Sequence, residues 1–202
     1  VLDVLDWAAM EAPLGERTGA LMAAVRSNQT AAAIEERIND LCDCESALKP
    51  AQNEALLGDW DLVWSSPGSD YSRLRSKLDK VPVAVESCSS QHLTASQSAT
   101  VVQLAGVVTI TINATIEPDL KDASGRRTLV GPPYTFNLRL GPADVPLPFP
   151  SEFGQERTCV EQLFLNHHLR VSRVGAYGER TTAGSIFVHR RRQEGCPLMK
   201  SL

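Results

Sequence analysis

The chain has 202 residues, 43% hydrophobic and 22% charged, with a formal net charge of −4. That balance belongs to a globular chain long enough to bury a core, and it excludes a disordered or fibrous protein. No run approaches the roughly 18–20 apolar residues of a membrane-spanning helix, and the acidic balance, with basic residues not interleaved by aromatics, argues against nucleic acid.

Charge is unevenly spread. Residues 1–62 carry 12 acids and 4 bases, whereas residues 165–202 carry 7 bases and 2 acids. The basic end includes His189-Arg190-Arg191-Arg192, which suits anionic lipid headgroups, an acidic partner, or a solvated strand end. Five cysteines, Cys42, Cys44, Cys88, Cys159 and Cys196, follow no zinc spacing, so mostly free thiols in a reducing compartment are expected. The chain opens on Val1 without a signal-peptide core, which predicts a processed mature form or a trimmed chain, any targeting segment being already gone.

Residues 1–50 read as helical. Leu21 and Val25 are four apart, and Ile34, Ile38 and Leu41 recur at helical spacing, with Asn28 or Thr30 as the cap. From Leu57 the period changes to two: Trp60, Leu62 and Trp64 alternate with Asp61, Val63 and Ser65. Ser66 to Asp70 is a turn, and Tyr71 to Lys80 reads as a short basic helix or lid with Arg73, Arg75 and Lys77. Val107 to Glu117 is the clearest strand. Val108, Ile110, Ile112, Ala114 and Ile116 form one face and Thr109, Thr111, Asn113 and Thr115 the other, so the aliphatic face is buried against something. Arg127–Leu140 follows across a hairpin, with Tyr134, Phe136, Leu138 and Leu140 on one face. Gly141 to Pro150 is too proline-rich for a central strand and reads as a loop over a barrel mouth. Strands are then expected at Thr158–Leu165, His168–Val174 and Ser185–Arg191. About eight strands with short turns mean a barrel or a strongly bent sheet.

Two runs bracket the β region. One is Leu56-Leu57-Gly58-Asp59-Trp60-Asp61-Leu62-Val63-Trp64-Ser65-Ser66; the other is Phe164 through Leu169-Arg170-Val171-Ser172-Arg173, followed by Gly184-Ser185-Ile186-Phe187-Val188. Together they resemble the plastid lipid-associated protein family, also called fibrillins or plastoglobulins. The departures are Asn166 where the family commonly has an acid, Trp64 where Tyr is common, and a long connection from Arg173 to Phe187, as in a divergent, algal member. The resemblance implies a mainly β fold, a lipocalin-like antiparallel barrel of about eight strands behind an N-terminal helical segment. Residues 1–55 would be that segment, 56–192 the barrel and 193–202 a tail. It also implies a non-catalytic plastid protein that binds or buffers prenyl lipid, carotenoid or acyl lipid on the stromal side of the thylakoid or at a plastoglobule. A bound carotenoid, quinone, chlorophyll or other lipid is the expected guest, with no catalytic cofactor. The alternative is a scaffold subunit docked on a photosystem or light-harvesting antenna.

The residues divide accordingly. Gly58 and Trp60 are expected at the barrel floor, with Arg170, Arg173 or Arg190 over the indole. Trp64, Val108, Ile110, Ile112, Ala114, Tyr134, Phe136 and Leu138 are the expected ligand-lining residues. Arg73, Arg75, Lys77, Arg190, Arg191 and Arg192 are the expected membrane or partner surface. No nucleophile elbow or other catalytic motif is present. His167-His168, read as adjacent strand residues, would point to opposite faces, so no metal site is expected.

Overall fold

The computed structural model describes residues 7–43, 49–69, 72, 87–104, 108–146, 157–176 and 184–192, without the side chains of residues 7–14, 87, 134, 144 and 176. The chain divides into two compact units, Val1–Ser46 and Ala47–Leu202. The boundary falls before the 50–56 region, so that stretch belongs with the strands rather than with the helices.

The first unit is a helical hairpin of α1 (Trp7–Arg26) and α2 (Ala31–Cys42). Ile34, Ile38 and Leu41 of α2 are buried, as their spacing predicts; in α1 Leu21 is buried with Ala24, while Val25, expected beside Leu21, is only partly buried. Thr30 caps α2 by accepting from the Ala33 amide at 3.3 Å. Arg17 donates to the Asp40 carbonyl at 3.0 Å, tying α1 to the end of α2.

The second unit opens with two single-turn 3-10 helices, Pro50–Gln52 and Glu54–Leu56, where a longer helical approach was expected. Nine strands follow: β1 (Gly58–Ser65), β2 (Ser87–Leu93), β3 (Gln97–Leu104), β4 (Val108–Pro118), β5 (Arg127–Leu140), β6 (Ala143–Pro146), β7 (Thr158–Leu165), β8 (Leu169–Ala176) and β9 (Ser185–Arg191). Eight of them close a wholly antiparallel barrel in the order β1-β2-β3-β4-β5-β7-β8-β9 and back to β1. This is the expected lipocalin-like architecture. Among the described residues the remaining strand, β6, pairs with the far end of β5 alone. The segment expected as a loop is therefore partly an edge strand, a sheet position that tolerates its Pro146.

The kink in β5 has a definite cause. Between Asn113–Thr135 and Ile116–Val130 the partner strand takes up two extra residues. Pro132 and Pro133 lie in that stretch, where missing N–H groups are least harmful. Gly131 makes the close approach possible, because a Cβ there would overlap Thr115 Oγ1. Gly131-Pro132 is thus a bulge within a strand, not the turn that the dipeptide implies. Below the kink Arg127–Val130 pair with β7; above it Asn137–Leu140 pair with β6.

Register decides which side chains face inward. Trp60 pairs with Gln91, and the row continues through Thr100, Ile112 and Phe136. The next row is Ser89, Val102, Ile110 and Leu138. One end of the barrel is sealed by a core of Leu56, Trp60, Leu93, Ile116 and Leu165, with Ala55 and Val130 packed against it.

Gly131→Ala is expected to lower stability by about 1–3 kcal/mol through overpacking. Thr115→Ala in the same chain should recover most of that loss. Urea unfolding of the two single variants and the double variant measures the coupling.

Candidate functional site

The sealed end is built around Trp60, which is wholly buried. Its indole N–H donates to the Leu56 carbonyl at 2.9 Å, so the 3-10 turn before β1 and the floor of the barrel are one unit. Two guanidiniums lie over the ring, Arg191 at 4.4 Å and Arg170 at 5.4 Å from its centroid. Gly58 sits at φ +112°, and a Cβ there would come within 2.8 Å of Arg191 Nη1. The Gly-x-Trp spacing thus combines a backbone angle unfavourable to other residues with room for a cation.

The two arginines have different surroundings. Arg191 donates to the carbonyls of His167 at 2.8 Å, Leu57 at 2.9 Å and Ala55. It stitches the 3-10 turn, the start of β1 and the β7–β8 turn together. Arg170 is 3% exposed and donates to Gln91 Oε1 across the barrel. Burial, and then the charge of Arg191, pull its guanidinium down to about 9, so it remains a cation at neutral pH. Its Nε makes no hydrogen bond among the described residues.

Arg170 pairs in register with His189, and the next inward residue of β8, Ser172, pairs with Gln162. His189, Ser172 and Gln162 are all buried. Among the described residues Nδ1 of His189 and Oε1 of Gln162 are unpartnered, as is Oγ1 of Thr128 further along the inner wall. Phe187 lies beside His189 with ring centroids 6.4 Å apart. The lower interior is therefore polar and carries one cation, while the wall above it is aliphatic.

Among the residues expected to line a ligand, Val108, Ile110, Ile112, Ala114, Phe136 and Leu138 share the inward parity. Ala114 is buried near the sealed end, and the others keep partial exposure. Trp64 does not line the interior: a bulge between Leu62 and Trp64 reverses the alternation, and Trp64 pairs with Val188 on the outer parity. The Tyr134 side chain lies outside the described residues.

Two floor and surface expectations are also corrected. Arg173 has the outward parity of β8 and forms an ion pair with Glu161 at 3.5 Å, so the second cation over Trp60 comes from β9 instead. Of the three consecutive arginines, only Arg190 is exposed. Arg191 belongs to the floor, and Arg192 pairs with Asp61, its Nε to Oδ1 distance being 2.9 Å. Arg73, Arg75, Lys77 and the 193–202 tail lie outside the described residues. Strand alternation counted back from Phe187 would have put His189 and Arg191 on its face and Arg190 on the other.

On the outside of the sealed end, Glu54, Ala55, His167, His168, Arg190, Arg191 and Arg192 line a cleft of about 690 Å³. His167 and His168 belong to the turn before β8 rather than to the strand. Asn166 Oδ1 shapes that turn, accepting from the amides of His168 at 2.8 Å and Leu169 at 2.7 Å. Among the described residues no group of three His, Cys, Asp or Glu could hold a metal ion. Cys159 is a free thiol, and burial pushes it up.

No protein-family model matches the chain, and no curated protein matches it.

Arg191→Leu is expected to cost about 2–4 kcal/mol, since it leaves carbonyls unsatisfied and removes a cation from the indole. Arg190→Leu, one residue away, should stay within about 0.5 kcal/mol. Denaturant midpoints of the two variants test this contrast. A second prediction concerns pH. Burial, and then the charge of Arg170, hold His189 well below its usual 6.5. The unfolded chain therefore takes up a proton below pH 6.5 that the folded protein does not. Stability should fall as pH falls below that value, by up to about 1.4 kcal/mol per pH unit. His189→Gln should flatten this dependence in unfolding titrations between pH 7.5 and 5.5.

Proposed function

We propose that the protein is a non-catalytic container for a lipid-like guest, held in the barrel with its entry at the end opposite Trp60. The observation that carries this proposal is the gradient along the interior. Trp60, Leu93, Ile116 and Leu165 at one end are buried. Val102, Leu104, Val108, Ile110, Ile112, Phe136, Leu138 and Phe187, on the inward parity further up, keep partial exposure. A filled eight-stranded core would bury such aliphatic side chains, whereas a barrel of this size holding one small ligand leaves a lined cavity.

The resemblance noted in the sequence extends the proposal. Its two bracketing runs supply Gly58, Trp60 and Arg170, which converge at the sealed floor. On that basis the guest class is prenyl lipid, carotenoid or acyl lipid, and the place of action is the plastid, at a thylakoid or plastoglobule surface. The exposed Arg190 beside the cleft supplies positive charge toward an anionic surface.

The test is extraction. Protein isolated under mild conditions from its native source should release an apolar guest into organic solvent at about one per chain, read by absorption and lipid mass spectrometry. A guest-free barrel that sediments with a pigment–protein complex would replace the container with the docked scaffold.

A further inference from the structure

The polar patch inside the sealed end has no structural need that its own contacts satisfy. Arg170 is buried, its only charged neighbour of consequence is another cation, and it has no ion-pair partner among the described acids. Four acids of the strands are engaged elsewhere: Asp59 with His92, Asp61 with Arg192, Glu117 with Arg157, and Glu161 with Arg173. A cation–π contact and one amide oxygen recover only part of what desolvating a guanidinium costs. Beside Arg170 in register stand His189, with Nδ1 unpartnered, and then Ser172 facing Gln162, with Oε1 unpartnered. Arg170 Nε is itself unpartnered. Buried polar atoms are normally hydrogen-bonded, and two orphan nitrogens, Arg170 Nε and His189 Nδ1, on one contiguous inner wall mark a place where an acceptor-bearing ligand completes the set.

Resting on the container proposal, we propose that Arg170 and His189 form a head-group site for a long-chain carboxylate, whose tail runs up the wall of Ile112, Ile110 and Leu138. A planar carboxylate accepts from a guanidinium and from a neutral imidazole N–H. Arg170 Nε–H and His189 Nδ1 are the free groups that meet it. Gln91 already holds the other arm of the guanidinium, so Arg170 is oriented before the ligand arrives. The guest is thereby an amphiphile seated head-down, not a wholly apolar molecule.

The experiment compares cis-parinaric acid with its methyl ester by fluorescence titration of the full chain at pH 7.5. The acid should bind roughly 10- to 100-fold tighter than the ester. Arg170→Gln should abolish the preference for the acid over the ester, read as the ratio of their affinities in the same variant. Because Arg170 also contacts Trp60, His189→Leu gives a second variant, expected to weaken acid binding selectively. The acid–ester comparison in the unaltered chain requires neither variant. Equal binding of acid and ester would overturn the head-group site and leave the container standing. If neither probe binds, both proposals fall.

Discussion

Two arginines lie over a single buried indole, and the barrel depends on how their charges are resolved. Placing a guanidinium over Trp60 contributes about 1–2 kcal/mol when the site is dry, less than the several kcal/mol lost by taking the cation out of water. Arg191 meets the deficit with three backbone carbonyls. Those carbonyls come from the 3-10 turn before β1, from the start of β1 and from the turn after β7, so the hydrogen bonds that stabilise the cation also close the barrel end. Gly58 is the geometric condition for this arrangement: a side chain there would occupy the space of Arg191 Nη1. Arg170 has no such acceptors, and its charge is left facing the interior.

From that floor upward the interior changes character. Its lower part is polar, with Arg170, His189, Ser172 and Gln162 on one wall. Its upper part is aliphatic and reached by water. Eight strands enclose a space at the threshold between a filled core and a small cavity, and the small inward residue of β2, Ser89, leaves more room than an aliphatic one would. The kink at Gly131-Pro132-Pro133 adds to this. It confines the pairing of β5 with β7 to four residues and directs the rest of β5 to β6.

Strands β1, β4, β5, β7 and β9 were legible in the sequence, each lying within a residue or so of its expected bounds. Strands β2 and β3 were not named individually, because their inward residues begin as serines, Gln91 and Thr100, and the two-residue period is invisible when both faces are polar. Trp64 followed the alternation of β1 on paper but not in space, since one bulge residue reverses the faces of everything after it. Arg173 and Arg191 exchanged roles for a related reason. Both lie on basic strands near the floor, and only register distinguishes an inward cation from an outward one.

By itself the sequence determined the class of the fold and the location of its seal. Period-two alternation, punctuated by turn residues, requires a sheet with a buried face, and a Gly two positions before a Trp marks where backbone and indole close an end. Only the tertiary structure decided which polar groups the closed sheet traps. Whether Arg170, His189 and Gln162 meet water, acids or one another depends on cross-strand register and on bulges accumulated around the whole barrel. Those are properties of strand pairing over distances of tens of residues, and no local pattern encodes them.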